Sequence, residues 1–214
     1  VEYLQTRTDD KGIVVREEPN GWCLGEWSTP HNRIEIPASL VNTAYFYHVT
    51  CIMADVAGIL DKKEDEHHLH TLAETIRKNF NAAFYNDVTH HYWEGKQGAD
   101  VFALAFGLVL EGKQEKVFSA LLEHLKKVNY HFDTGILATP LLLKVLTENG
   151  RADLAYKLMN QRDFPSYGYL ADKKNNTLWE TWNGDGNDEG CGHCHPMFGS
   201  VVAWFYNSLA GIKP

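Results

Sequence analysis

The sequence predicts an all-α fold, a set of antiparallel helical hairpins forming part of an (α/α)6 toroid. Three observations predict it. Apolar residues recur at three- and four-residue steps over most of the chain. Strand signals are few. Helical stretches that are apolar nearly all round alternate with one-sided ones, as inner and outer members of stacked hairpins would; a toroid fits this alternation, and a plain helical bundle fits it too. The 214 residues lie within the range of a single domain. That domain is read as residues 1–36, largely irregular, followed by hairpins over 37–214. No sequence repeat of fixed short period is visible, which disfavours a short-repeat solenoid. About seven helices are counted against the twelve of a closed six-hairpin ring, so the chain reads as part of one.

Residues 1–36 hold a short strand candidate, "GIVV", and turn signals in "EEPNGW" and "STPHN". The first helix is expected over "IPASLVNTAYFYHVTCIMADVAGILDK", with Pro37 near its first turn. "DEHHLHTLAETIRKNFNAAFYN" sets Leu69, Leu72, Ala73, Ile76, Phe80 and Phe84 on one stripe. "VTHHYWEG" breaks that pattern as a hairpin arm. "GADVFALAFGLVL" is apolar nearly all round and predicts a buried inner helix, whereas "QEKVFSALLEHLKKVN" predicts an outer one. "ILATPLLLKVLTENG" follows, with Gly150 as its C-terminal cap. "RADLAYKLMNQ" is amphipathic, and "MFGSVVAWFYNSLAGI" closes the chain as a largely apolar helix.

Composition narrows the function. Hydrophobic residues make up 44% and charged residues 22%, an ordinary globular balance. The net charge of −8 argues against nucleic acid as the main partner. No apolar run is long enough for a membrane span. The N-terminal residues read neither as a signal peptide nor as a presequence, so the compartment is not read from them. Four cysteines are too few for a disulfide-built fold of this size, and Cys51 reads as a small buried hydrophobe.

Two stretches place indoles around a carboxylate. In "TLWETWNGDG", Trp179 and Trp182 flank Glu180; in "NGWCLGEWSTP", Trp22 and Trp27 flank Glu26. Indole faces stack on the C–H faces of sugars. A carboxylate partly desolvated between them is expected to shift upward in pKa, towards a general base. Paired carboxylates are also what glycoside hydrolysis uses. The alternative is that the tryptophans are core and Glu180 a helix-start carboxylate. "CGHCH", residues 191–195, fits both covalent haem attachment and zinc ligation. A second cysteine pair is lacking and Met197 is too near for an opposite axial ligand, so no cofactor and no metal are expected. His67, His68, His70, His90 and His91 read as solvated.

"TLWETWNGDG…CHPMFGSVVAWFYNSLAGI" resembles the C-terminal end of the catalytic barrel of bacterial α-L-rhamnosidases, glycoside hydrolase family 78. Its pattern is T-x-L-W-E-x-W, a loop, N-H-x-x-x-G-[AS]-V and an aromatic helix ending in L-A-G-I. The segment 131–170 resembles the preceding hairpin, and "GWCLGEWSTP" the G-D-W loop upstream of it. The resemblance implies an (α/α)6 barrel that hydrolyses terminal α-L-rhamnosides with inversion, without a cofactor, on a rhamnose-containing glycoside or polysaccharide. It implies Glu180 as general base, and His195, Trp179, Trp182 and Trp27 as sugar-holding residues with Glu26 as a supporting carboxylate. Glu26 replaces the usual Asp, and Cys194 the usual Asn. Residues 1–20 hold no convincing counterpart of the family's general-acid segment. The chain is therefore read as a hydrolase fragment that carries the base and lacks the acid, with self-association through exposed inner helices. The alternative is a non-catalytic helical domain that binds carbohydrate or protein.

Overall fold

The computed structural model of the chain describes residues 1–15, 25–31, 35–173, 177–183 and 192–212. A short turn of helix, α1 (Glu2–Gln5), precedes two long antiparallel helices, α2 (Ala38–Ile59) and α3 (Lys63–Phe84). Two shorter pairs follow, α4 (Gln97–Ala105) with α5 (Gln114–Lys127) and α6 (Ala138–Glu148) with α7 (Ala152–Met159). Helix α8 (Tyr167–Asp172) and a terminal helical run over residues 197–209 complete the described elements. Helices α2, α4 and α6 and the terminal run pack side by side as an inner row, and α3, α5 and α7 each back one inner helix.

The pattern of apolar residues explains that layering. On α5 the buried residues are Val117, Ala120, Leu121 and Leu125, one stripe facing α4. Burying each of the larger ones contributes about 1.5–3 kcal/mol. On α4 every residue from Gln97 to Ala103 is buried, because α2, α5 and α6 all pack around it. Its two polar members are satisfied. Gln97 donates from Nε2 to the His131 carbonyl at 2.8 Å, and its Oε1 accepts from the Asp133 amide at 3.1 Å. Asp100 meets the His91 ring at 2.6 Å and accepts from the Tyr92 amide at 2.8 Å.

Several expectations are refined. Helix α4 stops at Ala105, because Gly107 takes φ +74° and the Leu108 amide turns back to the Ala103 carbonyl at 2.9 Å. "GIVV" and "VTHHYWEG" contribute only isolated antiparallel bridges, Thr8 with Val14 and Tyr85 with Tyr92. His67, His68 and His70 are exposed as expected. His90 and His91 are not simply solvated: Tyr85 Oη bonds His90, and the Asp100 pair raises the His91 pKa. Helix α4 is covered, and the open stripe lies on α2, at Val49, Ile52, Met53, Val56 and Ile59. A second open patch on the terminal run includes Val202, Phe205, Tyr206 and Leu209. Among the described residues no helix is long and apolar enough to cross a membrane.

Candidate active site

The stretch 177–183 is held by pairing with 192–195. The Glu180 amide donates to the Gly192 carbonyl and the His195 amide to the Leu178 carbonyl, each at 2.9 Å. Thr177 Oγ1 donates to the His193 carbonyl. These backbone bonds place Glu180 and His195 on neighbouring stretches of chain.

Among the described residues, two donors grip the Glu180 carboxylate. The Gly192 amide donates to Oε2 at 2.7 Å, and Trp27 Nε1 donates to Oε1 at 3.1 Å from far away in sequence. The Gly192 bond, assisted by the Trp27 indole and the neighbouring His195 ring, outweighs desolvation and holds the carboxyl below the ordinary glutamate value. The expected upward shift is thus corrected, because bonds to the charged form win over partial burial. Gly192 also leaves room: a Cβ there would lie 3.3 Å from Glu180 Oε2 and 3.8 Å from His195 Cδ2. His195 is half-buried, and its Nδ1 is buried with no hydrogen-bond partner among the described residues.

The tryptophans separate into different roles. Trp27 is partly exposed and touches the carboxylate. Trp179 is partly exposed, with one indole face stacked on the His193 ring at 4.3 Å. Trp182 is 0% exposed. It is enclosed by Phe132, Tyr167 and Phe198, and its Nε1 donates to the Thr134 carbonyl at 2.9 Å. A sugar cannot reach it here, so the expected sugar-stacking role of Trp182 gives way to one in the core. Trp22 of the sequence motif lies outside the described residues.

Glu26 is also buried, at 1% exposure. Its Oε1 accepts from the Gly135 amide at 2.5 Å and the Ala138 amide at 3.1 Å, at the start of α6. Desolvation outweighs those bonds and, with the Asp133 charge adding to it, pushes the carboxyl up to about 8. Glu26 is therefore held inside, against the start of α6, and does not face open space. Its partners Gly135 and Ala138, like Gly192 and Thr134, act through backbone atoms that side-chain motifs do not advertise. Cys194 is exposed and free, Cys191 lies outside the described residues, and no metal-holding cluster of His, Cys, Asp or Glu occurs among the described residues.

The model of the bacterial alpha-L-rhamnosidase 6 hairpin glycosidase domain matches residues 1–209. The chain belongs to this family. An alpha-L-rhamnosidase of Formosa agariphila is 32% identical over 202 residues, covering 89% of this chain and 22% of the relative. One from Streptomyces avermitilis is 35% identical over 201 residues, covering 89% of this chain and 18% of the relative. The chain thus spans about a fifth of the curated rhamnosidases it matches. The crystal structure of the Streptomyces avermitilis alpha-L-rhamnosidase complexed with L-rhamnose superposes with TM-score 0.88 at 32% identity, over 100% of this chain and 20% of that one. The alpha-L-rhamnosidase from Dictyoglumus thermophilum gives TM-score 0.88 at 34% identity, over 96% of this chain and 23% of that one. The all-helical fold and membership of a six-hairpin rhamnosidase domain stand on these similarities.

Proposed function

We propose that the chain forms part of an inverting glycoside hydrolase acting on terminal α-L-rhamnosides of glycosides or polysaccharides, with Glu180 as its general base. The observation that carries this is the Glu180 carboxylate, kept ionised by the Gly192 amide and the Trp27 indole beside His195. An ionised carboxylate can take a proton from a water as that water attacks the anomeric carbon. Inversion needs a second carboxyl, as acid, on the far side of the bond at roughly 6.5–9.5 Å. Glu26 does not fit that role, since it is buried against the α6 amides. The acid that protonates the leaving oxygen is assigned to polypeptide outside this chain. Trp27, Trp179 and the Nδ1 of His195, unpartnered among the described residues, are assigned to hold the sugar.

The test compares this chain with the longer polypeptide that completes the six-hairpin domain, using an aryl α-L-rhamnoside. Turnover by the longer protein, loss of turnover with Glu180→Gln, and release of the inverted anomer by proton NMR would support the reading. This chain alone is expected to bind L-rhamnose without turnover. Robust hydrolysis by the isolated chain would refute the placement of the acid, and full activity of the longer Glu180→Gln protein would refute the base. The open stripe on α2 supports self-association of the isolated chain. Sedimentation equilibrium at micromolar concentration would then show dimers or larger species, weakened by Met53→Asp. A clean monomer would oppose this.

A further inference from the structure

Residues 26 and 27 accept three backbone amides, those of Gly135, Ile136 and Ala138, on the segment that opens α6. Glu26 Oε1 takes the Gly135 and Ala138 amides, and the Trp27 carbonyl takes the Ile136 amide at 2.9 Å. The approach is too close for any side chain at position 135, where a Cβ would fall 1.8 Å from the Trp27 carbonyl oxygen. The same segment holds the buried Trp182 indole through the Thr134 carbonyl. Behind it, Asp133 is fixed by the Gln97 amide at 3.1 Å and by His124 at 2.5 Å. One rigid stretch therefore carries Glu26 and Trp27 on one side and the aromatic core on the other.

We propose that Glu26 is a positioning residue, an internal strut that sets the Trp27 indole against Glu180 and so fixes how that carboxylate is presented. Its functional consequence rests on reading Glu180 as the sugar-facing carboxylate. Trp27 reaches Glu180 through a single bond of 3.1 Å. A small rotation of residues 26–27 would break that bond while leaving α6 intact. Side-chain replacement at Glu26 frees such a rotation, because two of the three anchors belong to its carboxyl. The second oxygen, Oε2, is buried with no hydrogen-bond partner among the described residues. A carboxamide can replace the carboxyl there without losing an acceptor that is in use. The charged and titratable groups that face Glu26 are Asp133, ahead of α6, and Tyr45 on α2. Neither is altered by the exchange.

The experiment follows the tryptophan indole N–H resonances of this chain by NMR, assigned with Trp27→Phe and Trp182→Phe. Glu180→Gln marks where the Trp27 signal goes when its charged acceptor is removed. Glu26→Ala is expected to move the Trp27 signal to that position while the Trp182 signal stays. L-Rhamnose affinity should fall about ten-fold, as for loss of one hydrogen bond to a charged group. Glu26→Gln should keep both signals in place and keep affinity within about two-fold. A Trp27 signal unmoved in Glu26→Ala, with Trp182 also unmoved, would make Glu26 a helix cap only and overturn the proposal. Should Glu26→Ala disturb Trp182 and so the fold, Glu26→Asp decides. It retains the carboxylic acid but shortens the reach by one methylene, and an unmoved Trp27 signal there would also overturn the strut. If wild-type chain fails to bind L-rhamnose while the Trp27 signal responds as described, the strut stands and the sugar reading fails.

Discussion

The loop around Glu26 and the loop around Glu180 share a local vocabulary, a glutamate beside tryptophan in glycine-bearing sequence, yet their carboxyls are driven in opposite directions. Glu180 lies partly open and receives one donor on each oxygen, so its charged form is favoured. Glu26 is closed off and receives both its donors on a single oxygen, so burial of the other one prevails and the acid is neutral well above the ordinary range. Donor supply per oxygen, weighed against desolvation, decides the charge. The two residues are suited to different work: an ionised group can accept a proton from water, while a neutral buried one joins loop to helix.

The largest effect that would sharpen this contrast is on turnover. In the complete domain, Glu180→Gln is expected to lower kcat by about 10²–10⁴-fold, the scale of a lost general base. Glu26→Gln should change kcat far less, and steady-state kinetics on both variants checks it. Next comes stability. Trp182→Ala removes a fully buried indole and should cost about 3–5 kcal/mol in denaturant unfolding. Trp179→Ala, at a partly exposed position, should cost well under half of that. Equal losses would show that the two indoles do not differ as described.

A third effect is the pH dependence that Glu26 imposes. The folded chain keeps this proton up to about 8, whereas the unfolded chain releases it near 4.5. The associated stability is complete below 4.5 and is lost as pH rises towards about 8. The slope is at most about 1.4 kcal/mol per pH unit. Glu26→Gln carries no such proton, so its melting temperature should gain on wild type between pH 5 and pH 8. A constant difference across that window would contradict the buried, neutral acid. The smallest effect is expected from Trp27→Phe, which removes one of the two donors to Glu180. The Glu180 carboxyl should then titrate closer to the ordinary value, with the Gly192 bond still holding it below.

Much of the fold was legible because helices α2 to α7 are long enough to show an apolar period, and Gly150, at φ +74°, marks a helix end as its residue type suggests. Helices α1 and α8 span 4 and 6 residues and have no period to read. At the site, Glu180, Trp27 and His195 stand out by residue type. Sequence alone did not show that Trp182 would turn inward, since a tryptophan beside a glutamate suits a core and a sugar platform equally. Nor did it show the direction of the Glu180 shift, because the deciding donors are a backbone amide at Gly192 and an indole from a distant loop. Gly135 carried a faint signal: it is a position where no Cβ fits against the Trp27 carbonyl.

A carbon-13 NMR titration of the two side-chain carboxyls in this chain shows whether one fold holds these glutamates in opposite charge states. Glu180 is expected to titrate below 4.5 and Glu26 near 8. Glu180 titrating above 4.5, or Glu26 titrating as an ordinary surface glutamate, would contradict it.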